Sequence, residues 1–333
     1  MYVNFNDRKN YIFNKSIEGI EKSDLIILIG TNPRFEATIL NARIRKAYLN
    51  NKVKVYSLGD IGDQTYPYKN IGENTEVIKN IVDNKIPLSQ EIIDAKFPLI
   101  IIGQSALKLK SSKYIFESFK KFLIDKSKIS NDWKSLNILS NNASTVGGYD
   151  LNIPTSFDEN KVLNDLNKGL FELVFLFGQD NLDFNKKNEF VIYIGSHGDK
   201  GAQCADIILP SAAYTEQDGY FTNLEGKIQK AYKASYPPGN AKEDWEIIND
   251  LSSFIKRKKI YQNKEELIDS MKNYLSLNSK ETNDEILNVE FDNEKLIFDN
   301  IDYYYSNVIA RASHTMTQCR NEKLKMKKTG TEG

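Results

Sequence analysis

The stretch SDLIILIGTNPRFEA, residues 23–37, determines how the first part of the chain folds. Its run Leu25–Ile29 is continuously apolar, which is typical of a strand buried on both faces of a parallel sheet. Pro33 suits the first turn of a helix, and Thr31 or Asn32 is a natural N-cap for that helix. The sequence therefore predicts a buried strand that is followed directly by a helix.

The alternation of strand and helix continues along the chain. The helix after the first strand has apolar residues at near-helical spacing, namely Phe35, Ile39, Ala42 and Ala47. Further strands are predicted at Val53–Leu58, Leu99–Ile102, Leu136–Leu139, Leu173–Phe177 and Phe190–Ile194. Further helices are predicted after GQSALKL (residues 103–109), at Lys161–Leu170, and at Trp245–Ile255 with an apolar face of Trp245, Ile248, Leu251 and Ile255. This order indicates an α/β fold with doubly wound, mainly parallel sheets.

The composition is typical of a globular protein and excludes some partners. Of the 333 residues, 40% are hydrophobic and 27% are charged, and the net charge is zero. A neutral chain gives no electrostatic reason to expect nucleic acid or an anionic membrane as the main partner. The longest apolar runs are far shorter than the roughly 20 residues of a membrane helix. We therefore expect no direct membrane insertion.

The metal-binding residue types are scarce. The chain has two cysteines, Cys204 and Cys319, and two histidines, His197 and His314. An iron–sulfur cluster usually needs about four thiolate ligands, and structural zinc needs four closely spaced Cys or His ligands. We therefore predict no metal site, no cofactor in this chain and free thiols at both cysteines. His197 has no identifiable partner for general base catalysis, so no catalytic residue is predicted.

The length and the local composition suggest a division of the chain. About two domains of ordinary size are expected, and the character of the sequence changes after Arg257. We predict an α/β region at 1–257 and a helical or irregular C-terminal arm at 258–333. A division of the first region into two subdomains, about 1–60 plus 190–257 and 61–189, is left open. The arm begins with a lysine-rich helix at Lys264–Tyr274, and its polar sequence up to about Asn300 is expected to be mobile or to lie on the surface.

Two turns are candidates for a ligand pocket. One follows the first strand, where free N–H groups and a helix dipole favour anions, and the other lies in TNLEGKIQ, residues 222–229. Their candidate residues are Gly30, Thr31, Asn32, Arg34, Asn223, Glu225 and Gly226. The alternative for the first group is a plain capped turn without a GxGxxG spacing, and for the second a turn with left-handed residues.

Several motifs together carry a resemblance to a known family. HGDKGAQCADIILPSAAYTEQDGYFTNLEGKIQ, residues 197–229, resembles the segment that closes the pterin-binding fold of the molybdopterin oxidoreductase superfamily. GTNPRFEA (30–37), NARIRK (41–46) and RASHTM (311–316) are similar to the large iron–sulfur subunit of respiratory complex I, NADH:ubiquinone oxidoreductase. The likeness extends from about Asn10 to Cys319 and is weak around 262–300.

Two departures from that pattern guide the functional prediction. The family's N-terminal ferredoxin-like region, which supplies cluster cysteines, has no counterpart here, and residues 194–197 lack the Gln-Asp pair with which molybdenum enzymes read the guanine of their cofactor. The resemblance therefore implies a molybdopterin oxidoreductase-like fold that is incomplete at its N-terminus. It also implies a vestigial, cofactor-free pocket and the C-terminal half of a split subunit.

The resemblance leads to a prediction of a non-catalytic structural subunit in the peripheral arm of complex I. Its partners would be the cluster-bearing N-terminal half and other peripheral-arm subunits, on the matrix side of the mitochondrial inner membrane. We place part of the interface with that half at Asn10–Ile29 and Tyr193–Leu209. The alternatives are the C-terminal part of an active molybdopterin enzyme, such as a formate dehydrogenase, or a free-standing nucleotide-binding module.

Overall fold

The chain builds two parallel sheets and a hairpin, and the computed structural model describes residues 2–130, 133–153, 159–277, 290–298 and 301–325. The strands are β1 (Leu25–Ile29), β2 (Lys54–Leu58), β3 (Lys69–Gly72), β4 (Pro98–Gly103), β5 (Leu136–Leu139), β6 (Leu173–Phe177), β7 (Phe190–Gly195), β8 (Ile207–Pro210), β9 (Gly219–Thr222) and β10 (Ile228–Ala231). The helices are α1 (Pro33–Glu36), α2 (Thr38–Asn51), α3 (Glu76–Val82), α4 (Pro87–Asp94), α5 (Ser112–Asp125), α6 (Thr145–Asp150), α7 (Glu159–Asn167), α8 (Lys200–Gln203), α9 (Asp244–Lys256), α10 (Lys264–Leu277), α11 (Val308–Ala312) and α12 (His314–Lys325).

The first sheet has the strand order β3-β2-β1-β4-β5, and all of its neighbouring strands are parallel. Leu25 is in register with Lys54 on one side and with Pro98 on the other, so β1 is the central strand. Every residue of β1 is buried, as its apolar run predicts. The α/β class with doubly wound parallel strands is thereby confirmed.

Two hydrophobic clusters cover the two faces of this sheet. Alternate residues of β1 divide between them, because successive side chains of a strand point to opposite faces. The face with Ile27 packs against α3, α4 and α5, and the face with Ile26 packs against α2 and against Phe13 and Ile20 of the N-terminal segment. Phe13, Ile20 and the strand β1 of the stretch Asn10–Ile29 are buried within this chain, and the interface predicted for this stretch stays a prediction.

The helix after β1 forms where it was predicted, but its predicted apolar face is wrong. Ala37, with φ −152° and ψ 73°, separates α1 from α2 and changes the helical phase. Leu40, Ile44 and Ala47 face the sheet and are buried, whereas Ile39 is 71% exposed. Phe35 and Ala42, which were also predicted on the buried face, are exposed.

The second sheet has the order β6-β7-β8 and is also parallel. Its buried face carries Leu176, Val191 and Tyr193, which pack with Leu166 of α7 and with residues around α8. The antiparallel hairpin β9–β10 follows, with Thr222 paired to Ile228. Helix α9 starts with a capping box formed by Glu243 and Glu246.

The predicted face of α9 is not its buried face. Ile247 and Asn249 are buried, whereas Ile248 is 39% exposed and Ile255 is 71% exposed. Asn249 accepts hydrogen bonds from the backbone N–H groups of Ile260 (2.7 Å) and Tyr261 (3.0 Å), so this helix is oriented by a polar contact with the following loop. Apolar spacing alone did not indicate that orientation.

The C-terminal part of the chain returns to both sheets. Residues 290–298, here called the return segment, lie against the first sheet, and Leu296 is only 1% exposed. The exposure of Asp292, Asn293 and Lys295 agrees with the expected surface position of this stretch, whereas Leu296 packs into the core. In α11, Arg311 forms an ion pair with Asp199 at 2.8 Å, beside the second sheet. The predicted polar stretch at 278–289 lies outside the described residues.

The first sheet also bears on the subdomain division. Its strands β1 and β2 come from 1–60 and its strands β3, β4 and β5 from 61–189, so one sheet joins parts of both subdomains that were considered. The boundaries at 257 and 258 stay a prediction. None of the described helices combines the length and apolar composition that a membrane span needs.

Candidate functional site

The topological switch point of the first sheet is the natural place to look for a ligand site. From β1 the chain runs outward to β2 and β3 on one side and returns to β4 and β5 on the other. In doubly wound sheets, ligands bind beyond the carboxyl ends of the two strands at this reversal. Here those ends are Gly30 after β1 and Gly103–Ser105 after β4.

The turn after β1 is closed by a carboxylate. The Glu36 side chain accepts hydrogen bonds from the Thr31 hydroxyl at 2.8 Å and from the Asn32 backbone N–H at 2.9 Å. Asn32 is the N-cap of α1, because its Oδ1 accepts from the Phe35 N–H, and its Nδ2 donates to the carbonyl of Ile61. A phosphate at this helix start would lie next to a negative charge that already holds two of the donors, so the turn does not suit an anion.

Arg34 contacts the neighbouring loop. Its guanidinium forms an ion pair with Asp63 at 2.6 Å, and its backbone N–H donates to the side chain of Gln64. The Thr65 backbone N–H, together with Arg34, holds the pKa of the Asp63 carboxyl below its ordinary value. Arg34 therefore braces the loop at 61–65 in this structure.

The return segment fills the switch-point crevice. Gly30 has φ +55°, and a Cβ built there would lie 3.0 Å from Cβ of Ala106 and 3.2 Å from the carbonyl oxygen of Ile297. At the end of β2, a Cβ on Gly59 would lie 2.8 Å from the carbonyl oxygen of Leu296. The hydroxyl of Ser105 can donate to the carbonyl of Gly30 or to that of Ile297, which is 2.7 Å away. Backbone of the same chain thus lies where a cofactor would approach.

Hydrogen bonds anchor the return segment on both sides of Leu296. The Leu296 N–H donates to the carbonyl of Glu73 at 2.7 Å, and the Thr75 N–H donates to the carbonyl of Glu294 at 2.9 Å. The Glu294 carboxylate accepts from Ser111, at 2.8 Å from its N–H and 2.6 Å from its hydroxyl. Burial alone would raise the pKa of Glu294, but the hydrogen bonds from Ser111 outweigh it and hold that pKa below its ordinary value.

The second group of candidates lies in the β9–β10 turn. Asn223 Oδ1 accepts from the Lys227 N–H at 2.8 Å, and Gly226 has φ +79°. Glu225 accepts from the Ile17 N–H at 2.7 Å, and the carbonyl of Gly226 accepts from Arg8 at 2.7 Å. In the part of the chain that the structure describes, no hydrogen bond or ion pair joins this turn to Gly30, Thr31, Asn32 or Arg34.

Asn223 lies instead beside an open cavity at the end of β5. The cavity has a volume of about 370 Å³. Its lining residues are Ser140–Val146, Phe221–Leu224 and Gln229. The two predicted groups thus belong to different places on the molecule.

The pterin cofactor of molybdopterin enzymes does not fit the switch point. Its pyrophosphate would need free backbone donors and room for close approach, whereas Glu36 holds the donors and the return segment takes the room. Among the described residues, no group of three or more His, Cys, Asp or Glu is placed to hold a metal ion. Cys204 is half-buried and Cys319 is exposed, and both are free thiols.

Sequence reasoning missed the residues that determine this geometry. Glu36 was readable, since it follows the N-cap Asn32 by four positions and can reach back to it. Ser105 lies three residues beyond the predicted strand Leu99–Ile102, at the crevice. Glu294 gave no signal, because its partner Ser111 is distant in sequence.

Comparison with known proteins places the chain in a family. The profile of the molybdopterin oxidoreductase family matches residues 2–254. A subunit of the NADH-quinone oxidoreductase of Rickettsia bellii is 38% identical over 97% of this chain and 47% of its own length. The NADH-ubiquinone oxidoreductase 75 kDa subunit of Reclinomonas americana is 38% identical over 94% of this chain and 47% of its own length. The mitochondrial NADH-ubiquinone oxidoreductase 78 kDa subunit of Candida albicans is 35% identical over 95% of this chain and 45% of its own length.

These matches cover nearly all of the chain, although the chain spans slightly less than half the length of each of these relatives. They include its C-terminal part, which the family profile does not reach. The chain therefore belongs to the molybdopterin oxidoreductase family, and over nearly its whole length it is homologous to the 75 kDa subunit of NADH-ubiquinone oxidoreductase and to its counterpart in the NADH-quinone oxidoreductase of Rickettsia.

Proposed function

We propose that the chain is a non-catalytic structural part of the peripheral arm of respiratory complex I. In that assembly electrons would pass from NADH to ubiquinone through iron–sulfur clusters held outside this chain. The proposal rests on homology to subunits named for this reaction. One observation supports the claim that the chain is non-catalytic: the return segment fills the switch-point crevice.

The absence of a cofactor from this chain is part of the proposal. It is supported by the Glu36 carboxylate at the start of α1 and by the carbonyl of Ile297 against Gly30. The same contacts disfavour the alternative of an active molybdopterin enzyme, which would need this crevice for its cofactor. They equally disfavour a free-standing nucleotide-binding module, since a nucleotide phosphate would need the same donors.

We further propose that the iron–sulfur clusters are held by the counterpart of the half of the relatives that this chain does not match. Other peripheral-arm subunits would be further partners, on the matrix side of the mitochondrial inner membrane. The mitochondrial location is supported by the relative from Candida albicans, whose name describes a mitochondrial protein.

Purification of complex I through an affinity tag on this chain tests the assignment. We expect NADH:ubiquinone oxidoreductase activity and iron–sulfur clusters to co-purify with the tag. Recovery of the tag without that activity would contradict membership of complex I.

Variants at the candidate residues test whether the chain is non-catalytic. Asn223→Ala removes the acceptor for the Lys227 N–H, so we expect a loss of about 1 kcal/mol in folding stability and less assembled complex. Turnover per assembled complex should stay unchanged. Asn223→Asp, which keeps an acceptor oxygen, serves as the matched control. Lower turnover in a fully assembled Asn223→Ala complex would contradict the structural role.

A further inference from the structure

The second sheet is covered on one face only within the described residues. One face, with Leu176, Val191 and Tyr193, is buried under α7 and the segment around α8. On the opposite face Ile194, at the end of β7, is buried, but the other large apolar side chains are reached by solvent. Parallel sheets normally have both faces covered, because their strands are apolar on both sides. The first sheet of this chain follows that rule, and the second does not.

The open face is defined by five residues, here called the aromatic face: Leu173, Phe175, Phe177, Phe190 and Ile207. Leu173 is in register with Phe190, so their side chains lie on the same side of the sheet, and Phe175, Ile192 and Ile207 are in register across all three strands. The aromatic face residues are between 37% and 50% exposed. The rings of Phe175 and Phe177 are stacked with their centroids 6.0 Å apart.

The edge of the sheet beside the aromatic face is open as well. Strand β6 pairs with β7 along Leu173–Phe177, and no backbone hydrogen bond from its other side reaches any described residue. Unpaired edge groups next to an apolar surface favour the addition of a further strand or the docking of a helix. The opposite edge strand, β8, is continued by the parallel bridge from Ser211 to Lys242.

We propose that the aromatic face and the β6 edge are the docking surface for the cluster-bearing half of the subunit. This inference rests on the proposed function and names the surface that would join the two halves. In each of the relatives, the counterpart of this chain forms one polypeptide with a further part of similar length. That part accompanies this fold in each of these relatives, and an apolar, permanent contact suits two halves of one subunit.

The occupant is defined by its chemistry. It offers an apolar helix face or strand without buried charges, since no charged residue belongs to the aromatic face. Only part of the stretch Tyr193–Leu209, which was predicted to lie at an interface, belongs to this surface. Ile207 is in the aromatic face, whereas Tyr193 is 1% exposed and is buried on the opposite face.

Site-specific photo-crosslinking in assembled complex I tests this surface. Phe175 is replaced by p-benzoylphenylalanine in the full chain, the purified complex is irradiated, and the cross-linked peptides are identified by mass spectrometry. The matched control carries the same replacement at Phe254 of α9, which is 86% exposed and lies outside the aromatic face. We expect the position at Phe175, and not the control, to yield cross-links to peptides of the cluster-bearing half.

A second measurement uses charge in place of a cross-linker. Phe175→Glu should lower the amount of assembled complex I that co-purifies with the chain by about tenfold or more, as for an aromatic residue at the centre of an interface. Phe254→Glu should leave that amount unchanged. Both variants place a carboxylate at an exposed aromatic position.

Several outcomes would overturn the inference in assembled complex. In the cross-linking experiment, they are cross-links from position 175 to a second copy of this chain or to another subunit, no cross-link at all, or an equal yield from position 254. In the second experiment, the contradicting outcome is equal co-purification in the two Glu variants. If the chain were absent from purified complex I, the proposed function itself would fall, and the inference with it.

Discussion

Gly226 is held in a conformation and an environment that other residues do not tolerate. Its φ is +79°, and a Cβ there would lie 2.9 Å from Nη1 of Arg8. Gly226→Ala should therefore lower the free energy of unfolding by about 1–2 kcal/mol, measured by urea denaturation. Gly239→Ala is the control, because Gly239 also has positive φ but no neighbour within 4 Å of a Cβ. Equal losses in the two variants would show that the contact with Arg8 has no effect on stability.

Glu294 makes the stability of the return segment dependent on pH. Its pKa is lowered in the folded protein, so its contribution is present above the unfolded pKa and is lost as the pH falls through the folded pKa. At pH 7 we expect Glu294→Gln to be less stable than wild type by about 1–2 kcal/mol. The difference should shrink towards zero in acid, as measured by denaturation from pH 7 to pH 3. Asp292→Asn removes an exposed carboxylate from the same segment, and a similar pH dependence there would contradict this assignment.

At the residue scale, the sequence predicted local chemistry better than distant contacts. The capping role of Asn32 follows from its place before Pro33 and is confirmed. Gly226 was readable as a left-handed turn residue, which its φ confirms. The contact of Glu294 with Ser111 joins residues that are 183 positions apart, and no local spacing encodes such a pair.

At the element scale, strands were predicted more accurately than helix faces. The predicted strands at Leu136–Leu139 and Leu173–Phe177 have the observed bounds, because short, mainly apolar runs between turn signals favour strands whichever face is buried. Helix faces depend on phase. The non-helical residue Ala37 interrupts the helix, so the side chains of α2 are rotated about the helix axis relative to those of α1. Spacing counted from Phe35 therefore indicated the exposed side of α2 as its buried side.

Leu296 should contribute most of the hydrophobic stabilisation of the return segment. It is 1% exposed, whereas its neighbour Ile297 is 55% exposed. Leu296→Ala should lower the free energy of unfolding by about 2–3 kcal/mol through lost burial and a cavity. Ile297→Ala should lower it by less than about 0.5 kcal/mol. Chemical denaturation of both variants measures the difference, and similar losses would mean that the segment does not pack on the sheet as described.

At the scale of the whole molecule, the two sheets differ in how far this chain completes them. The first sheet has both faces covered, and the return segment fills the crevice at its switch point. No apolar face of this sheet is left for a ligand to cover. Within the part of the chain that the structure describes, the second sheet has one face covered, and the residues of the aromatic face are exposed to solvent. A chain with a closed ligand crevice and an open apolar surface is suited to assembly. Neither feature was visible in local sequence patterns, because both depend on which distant segments meet.

The last prediction concerns the electron carriers of the proposed complex. Clusters usually need about four thiolates, whereas the two cysteines of this chain are Cys204, half-buried at the end of α8, and Cys319, exposed on α12. In purified complex I, the double variant Cys204→Ala and Cys319→Ala should therefore keep every cluster signal in electron paramagnetic resonance and its NADH:ubiquinone turnover. Burial raises the pKa of the Cys204 thiol, which keeps this side chain a protonated, weakly polar packing group that alanine replaces with little loss. If any one cluster signal disappeared while the complex stayed assembled, a cysteine of this chain would be a ligand, and the proposal that all electron carriers lie outside this chain would be wrong.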